Sequence, residues 1–242
     1  MNILTNLFNS SLGKKFLMAL TGAGLFAFVV GHLVGNLQIF LGPEAINRYG
    51  HFLQSNLELI WPARIGLLAL VAIHVWTAVK LSAENKAARP VDYANAPVPA
   101  AASYASRTML MSGLIVAAFI IYHLLHYTVQ VPAINFVSDP AVKDFTALYD
   151  AHERHDVYRM MVTGFQQPVV SLFYIIAMGL LCLHLSHGVS AMFQSLGLKN
   201  KTWEPVIERF ACGVALVIFL GYASIPSAVL LTKYCGLPLL RP

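Results

Sequence analysis

The sequence predicts an all-α polytopic membrane protein, with five transmembrane helices forming a bundle in a single domain over residues 1–242. Hydrophobic residues make up 57% of the chain and charged residues 11%, with a mean hydropathy of +0.65. Soluble domains carry about 25% charged residues, so little of this chain is left for a soluble catalytic domain. Five apolar runs each supply the roughly 20 residues that a spanning helix needs. They are residues 15–40, 59–82, 107–131, 165–194 and 207–232.

The first run follows Lys14 and Lys15 and resembles a signal peptide only superficially. It is too long for the hydrophobic region of such a peptide and lacks a small-residue cleavage site, so we expect a retained helix. Gly31 and Gly35 form a G-x-x-x-G within it. That spacing fits close helix packing and is equally compatible with room for a flat macrocycle.

Two long connectors separate the runs. Residues 83–106 are rich in alanine and carry Pro90, Pro97 and Pro99, which predicts an extended connector. Residues 132–164 contain Asp-Pro at 139–140 and a polar stretch for which we expect a short surface helix. The His-Glu-Arg-His string at 152–155 lacks the H-E-x-x-H spacing of a zinc site, so we expect a solvated loop there.

Basic residues are in excess in the loops on the N-terminal side of the membrane. The positive-inside rule therefore places the N-terminus in the cytoplasm and, after five crossings, the C-terminus outside. The net charge of +5 reflects this topology and needs no nucleic-acid partner to explain it.

Six of the nine histidines lie within the apolar runs, where an imidazole is costly without a partner. At a rise of about 1.5 Å per residue, His32 and His123 fall in the outer halves of their helices, and His74 and His184 in the inner halves. Two imidazoles at one depth can hold one iron from opposite faces. The topology thus pairs His32 with His123 and His74 with His184, and predicts two bis-histidine haems that transfer electrons within the bilayer.

The remaining two, His126 and His187, each follow another histidine by three residues and share nearly the same helical face with it. One member of each close pair should ligate, and the other should bond a propionate, a backbone carbonyl or a quinone. Spacing alone does not decide which. Gly188, one turn after His184, would leave open space on the face of that histidine.

The three cysteines carry no metal or haem-attachment motif. Cys182, Cys212 and Cys235 form neither C-x-x-C nor C-x-x-C-H, which argues against covalent haem, zinc and iron–sulfur sites. Any haem should therefore be non-covalent and of the b type.

Four strings resemble the membrane cytochrome b subunit of succinate dehydrogenase/fumarate reductase. They are G-H-L-V-G-N-L-Q at 31–38, H-V-W-T-A-V-K at 74–80, R-T-M at 107–109 with Y-H-L-L-H at 122–126, and L-H-L-S-H-G-V-S-A-M-F-Q-S-L-G at 183–197. The resemblance is to the branch with one five-helix polypeptide and two haems, and it extends over essentially the whole chain. It implies axial ligands at His32, His74, His123 and His184, the last as the histidine of an H-x-x-x-G. It leaves His126 and His187 with secondary roles.

The resemblance also implies partners. A flavoprotein subunit would oxidise succinate or reduce fumarate, and an iron–sulfur subunit would relay electrons to this anchor, with two haems b and menaquinone or another quinone as cofactors. It implies the bacterial cytoplasmic membrane, and leaves open the physiological direction, the quinone type and any higher oligomer. We expect a basic face to dock the iron–sulfur subunit. Its residues are Arg89, Arg107, Lys199 and Lys201.

Polar residues before the second helix are candidates for the quinone site. They are His51, Gln54, Ser55, Asn56 and Glu58. A Glu58 carboxylate could exchange protons with quinone oxygens, although an ordinary interfacial acid would look the same. Arg64 is a candidate contact for a haem propionate, or it extends to the interface as long basic side chains do.

Two alternatives remain open. One is the dihaem anchor of another quinone-linked complex, such as a hydrogenase, formate dehydrogenase or nitrate reductase. The H-x-x-x-G context and one ligand on each of the first four helices disfavour it. The other is a transporter whose histidines relay protons or bind metal ions, which predicts a colourless protein.

Overall fold

A computed structural model describes residues 3–88 and 104–240. The described residues are 81% helical and include no strand, which confirms the all-α class. Five helices in this part of the chain are long and apolar enough to cross a membrane, as expected for a multi-pass membrane protein. The longer helices are α1 (Ser11–Leu37), α2 (Pro43–Ser55), α3 (Leu57–Ala87), α4 (Met109–His123), α5 (Val157–Phe165), α6 (Pro168–Ser195) and α7 (Glu204–Cys235). Shorter helices lie at Ile3–Asn9, Tyr104–Arg107 and Pro140–Lys143.

The fold consists of two compact units, each built from non-consecutive segments. The first unit contains Met1–Phe28, Ile65–Ile115 and Leu181–Leu216. The second contains Val29–Arg64, Val116–Leu180 and Val217–Pro242. Every boundary falls inside one of the five long helices, so each of these helices contributes one segment to each unit.

Helix α3 is longer than the apolar pattern predicts. It runs to Ala87, whereas the sequence predicts a connector from residue 83. An ion pair accounts for the difference, because Lys14 donates to the Glu84 carboxylate at 2.6 Å and fixes the last turns of α3 against α1. Most of the predicted connector, with Pro90, Pro97 and Pro99, lies outside the described residues.

Helix α4 ends earlier than predicted, through a π-helical turn at Leu124–Thr128. The Val129 amide closes that turn on the Leu124 carbonyl at 2.8 Å. Gln130 then adopts a φ of 61°, a left-handed conformation that an α-helix does not accommodate. The predicted helix end at residue 131 was therefore wrong by three residues.

The segment between α4 and α6 is a folded element with its own buried side chains, although His152 and Glu153 within it are exposed in turns, as the solvated loop expected at 152–155 requires. Phe145 is fully buried, and Asn135 is 1% exposed. Asn47 of α2, also 1% exposed, anchors the segment: its amide donates to Asp156 at 3.0 Å and its oxygen accepts from the Tyr158 amide at 2.9 Å. Two buried polar contacts thus hold this segment against α2.

The start of α2 follows from two adjacent residues. Gly42 has a φ of 101°, which favours glycine, and Pro43 occupies the first helical turn, where its missing N–H costs nothing.

The two glycines of the G-x-x-x-G on α1 have different surroundings. A Cβ added at Gly35 would lie 2.8 Å from the Tyr49 ring, whereas one added at Gly31 would meet nothing within 4 Å. The G-x-x-x-G therefore provides close packing at one glycine and open space at the other.

Candidate functional site: two facing histidine pairs

The first unit places the imidazole of His74 on α3 opposite that of His184 on α6. Their ring centroids lie 6.4 Å apart, with ring planes inclined at 69°. Both side chains are half-buried. The inner pair predicted from the topology is therefore a close spatial pair.

The second unit does the same with His32 of α1 and His123 of α4. Their centroids are 5.8 Å apart and their ring planes inclined at 82°. Phe119 stacks on His123 at 6.1 Å, and the Tyr222 ring lies 6.2 Å from His32. The Tyr222 hydroxyl donates to the Val29 carbonyl at 2.8 Å, which fixes α7 beside the His32 segment.

Both pairs have the spacing that one metal between two imidazoles requires. An imidazole nitrogen lies about 2 Å from a transition metal that it binds, so two opposed ligands put their ring centroids roughly 6 Å apart. Binding of one metal fixes the axis through the two ligating nitrogens. Each imidazole ring can still rotate about that axis, so the steep angles between the ring planes are compatible with binding. Among the described residues, no group of three or more His, Cys, Asp or Glu side chains could hold a bare ion. A haem takes two axial ligands, and each facing pair supplies two imidazoles, so the two histidine pairs fit haem.

Hydroxyl groups lie against the Nδ1 atoms of the first pair. Thr21 Oγ1 is 3.0 Å from Nδ1 of His74, and Ser112 Oγ is 3.4 Å from Nδ1 of His184. A partner at Nδ1 orients the ring and leaves Nε2 for a metal.

His126 occupies a different environment from His123. It is 0% exposed, and its ring is surrounded by those of Tyr122, Tyr127, Phe145 and Tyr174. The Tyr174 hydroxyl lies 3.0 Å from Nδ1 of His126 and 3.4 Å from Nδ1 of His123. Because aromatic rings enclose His126 while His123 is only half-buried, His123 is the better placed of the two to meet a macrocycle.

His187 also remains apart from the facing pairs. It is half-buried on α6 near Lys199 and Glu208. Lys199 pairs with Glu204 at 3.1 Å and with Glu208 at 3.0 Å. Burial opposes the charged ammonium, but the hydrogen bonds that Lys199 donates to Glu208 and Glu204 outweigh it and raise the pKa of Lys199.

The predicted docking face is consequently less basic than its residues suggest, because two carboxylates neutralise Lys199. Arg107 and Lys201 are exposed. Arg89 lies outside the described residues.

The five quinone-site candidates lie together where α2 ends and α3 begins, and all are exposed. His51 and Ser55 approach each other at 3.3 Å. The Asn56 amide donates to the Phe52 carbonyl at 2.6 Å. Glu58 lies in the first turn of α3, where a carboxylate is favourable.

Arg64 is exposed, and its guanidinium lies 5.4 Å from the centre of the Trp61 ring. This is a cation–π contact.

An ionic cluster holds the segment between α4 and α6 on α2. Arg154 donates to both Glu44 oxygens, at 3.1 and 2.6 Å, and through Nε to Asp150 at 2.8 Å. The hydrogen bond from Arg154 lowers the pKa of Glu44. Burial opposes ionisation of Asp150, but the Arg154 bonds and the His152 amide outweigh it and lower its pKa to about 2.

Comparison of the chain with protein-family models, curated proteins and solved structures found no match. The resemblance to a succinate dehydrogenase cytochrome b therefore rests on the four sequence strings.

Sequence reasoning missed the residues that support the histidines: Thr21, Gly22, Ser112, Gly113 and Tyr174. A signal for four of them exists in the sequence, because Met-Ala-Leu-Thr-Gly at 18–22 and Met-Leu-Met-Ser-Gly at 109–113 share one pattern. The pattern occurs a third time at 160–164, where the glycine packs against the Tyr127 hydroxyl. The sequence alone thus does not indicate which copies face a histidine.

Proposed function

We propose that this chain is the dihaem cytochrome b membrane subunit of a succinate:quinone oxidoreductase. The observation that carries the proposal is the pair of facing histidine sites, each formed by two helices and each spaced for one metal. The four sequence strings supply the link to succinate dehydrogenase/fumarate reductase.

Four histidines would hold two haems b in this protein: His32 with His123, and His74 with His184. A bound haem supplies one-electron redox chemistry at its iron. The protein's own task is to present Nε2 atoms in fixed orientations and to surround them with apolar side chains. The hydroxyls of Thr21, Ser112 and Tyr174 lie against Nδ1 atoms and would fix the orientations of the rings.

Quinone reduction also needs protons, and Glu58 is the proposed donor. Its carboxylate is exposed at the start of α3, shortly after the end of α2, where His51 and Ser55 lie. Glu58 would pass protons between water and the quinone oxygens as a general acid. Succinate oxidation itself would take place on a partner flavoprotein, linked to this chain by an iron–sulfur subunit.

The proposal predicts that succinate reduces a b-type cytochrome in the purified complex. The test isolates the tagged chain with its native partners from bacterial cytoplasmic membranes and records absorption difference spectra with succinate, hydrogen or formate as reductant. Reduction by succinate supports the proposal. Reduction only by hydrogen or formate would assign the chain to another quinone-linked complex, and a colourless preparation would favour a histidine-based transporter.

A further inference from the structure

Two short segments of the first unit share both a sequence pattern and a structural role. Residues 18–22 on α1 and residues 109–113 on α4 both read Met-x-x-(Thr or Ser)-Gly. The first segment contacts His74 and the second contacts His184. The two facing histidines therefore have equivalent supports on two further helices.

The proton of the Thr21 hydroxyl is used within its own helix. Thr21 donates to the Leu17 carbonyl at 2.6 Å, with the Met18 carbonyl at 3.2 Å. A hydroxyl has one proton, so the Thr21 oxygen can only accept from His74 Nδ1, 3.0 Å away. This contact requires His74 to carry its proton on Nδ1.

Ser112 repeats this arrangement for the other histidine. Its hydroxyl donates to the Met109 carbonyl at 3.1 Å and lies 3.4 Å from Nδ1 of His184. Because the Ser112 proton goes to Met109, the Ser112 oxygen can only accept from His184, so His184 also carries its proton on Nδ1 and its Nε2 keeps its lone pair.

The glycine of each segment lies against the same ring that the hydroxyl orients. A Cβ added at Gly22 would lie 3.3 Å from Cε1 of His74, and one added at Gly113 would lie 2.9 Å from Cε1 of His184. The second distance is shorter than real Cβ contacts allow, so an alanine at 113 must displace the ring. Glycine thus permits the close approach on which the hydroxyl contact depends.

We propose that residues 18–22 and 109–113 are a matched pair of imidazole cradles that hold His74 and His184 with Nδ1 protonated and Nε2 free to bind a metal. Thr21 and Ser112 are positioning residues, and Gly22 and Gly113 make room for the rings. The inference rests on the proposed function for the identity of the metal group, but the protonation pattern of the two histidines does not depend on it.

The redox test compares Thr21→Val with Thr21→Ser and a matched control, Thr77→Val. Thr77 is buried and donates to the Ile73 carbonyl at 2.5 Å, as Thr21 does to Leu17, but its hydroxyl does not contact a histidine. Loss of the acceptor at Nδ1 makes a histidine a weaker donor to iron. Thr21→Val should therefore weaken haem retention at the His74–His184 pair about tenfold and raise the midpoint potential of that haem. Thr21→Ser should restore both, and Thr77→Val should change neither.

A second comparison uses glycine. Gly113→Ala should perturb the same haem, whereas Gly213→Ala, whose added Cβ meets nothing within 4 Å, should not. Equal effects of the two alanine variants, or of Thr21→Val and Thr77→Val, would overturn the proposal.

Nuclear magnetic resonance separates this inference from the haem assignment. The full chain, labelled with 15N-histidine and reconstituted in lipid without added haem, should show His74 and His184 protonated on Nδ1. Thr21→Val should lose that pattern at His74 alone. If the chain binds no haem but shows this protonation pattern, the proposal on the two cradles is supported and the proposed function is wrong. Protonation of His74 and His184 on Nε2 in the unsubstituted chain would overturn the proposal on the cradles, whatever the haem content.

Discussion

The Tyr174 hydroxyl lies 3.0 Å from Nδ1 of His126, inside a cage of aromatic rings. His126 is fully buried, and its Nε2 has no hydrogen-bond partner within the described residues. Tyr174 therefore provides the one polar contact found for this imidazole. The same hydroxyl also reaches Nδ1 of His123 at 3.4 Å, so it supports a proposed haem ligand and its neighbour together.

Replacing Tyr174 by phenylalanine should destabilise the protein by about 1–3 kcal/mol, because it leaves a buried imidazole without its hydrogen bond. The absorption spectrum of the haem held by His32 and His123 should change, and that of the other haem should not. Thermal unfolding in detergent and low-temperature difference spectra measure the two effects. Tyr104→Phe, at an exposed position, is the control; a similar loss of stability in both variants would remove the special role of Tyr174.

Ligand substitutions should sort into two groups. His32→Ala and His123→Ala should eliminate or shift the same spectral component, and His74→Ala and His184→Ala the other, because each pair would share one metal under the proposed function. Redox titration of each variant followed optically resolves the two components. If the His32 and His74 variants lost the same component, the pairing would be wrong.

The apolar runs predict the spanning helices correctly because helix length and hydropathy are local properties of the sequence. The end of α3 was not predictable in this way, because the Lys14–Glu84 ion pair that fixes it joins residues distant in the chain. The folded segment before α6 depends similarly on Asn47, whose buried contacts reach Asp156 and Tyr158. Local patterning gives no sign of such contacts.

The histidine pairs were predictable because depth along a helix follows from residue spacing and topology. Their supporting residues were not, since a threonine or serine in an apolar helix usually bonds only its own backbone, as Thr77 does. Only the three-dimensional structure distinguishes Thr21 from Thr77.

Glu58→Gln should slow electron transfer from succinate to quinone while leaving succinate oxidation with a soluble acceptor intact, because only the proton-exchange step loses its carboxylate. Haem content should stay unchanged. Both activities are measured on one preparation, with Glu153→Gln, an exposed acid in another segment, as the control. Equal loss of both activities would indicate damaged assembly, and no loss in either would remove Glu58 from the quinone site.

The Arg154 cluster predicts an acid-sensitive contact between α2 and the segment that joins α4 to α6. The folded-state pKa of Asp150 is lowered to about 2, so its ionised form favours folding. That contribution should be complete above the ordinary pKa of about 4 and should be lost as the pH falls towards 2. Thermal unfolding between these pH values should show a steeper fall for the unsubstituted chain than for Asp150→Asn. Parallel curves would contradict the assignment.

The central claim is that four histidines hold two haems in one chain, and haem stoichiometry tests it most directly. A pyridine haemochrome assay on the purified chain, with protein measured by amino-acid analysis, should give about two haems b per polypeptide, because each facing pair can saturate both axial positions of one iron. His32→Ala with His74→Ala, which removes one ligand from each pair, should bring the ratio close to zero. A ratio of zero or one in the unsubstituted chain would contradict the account.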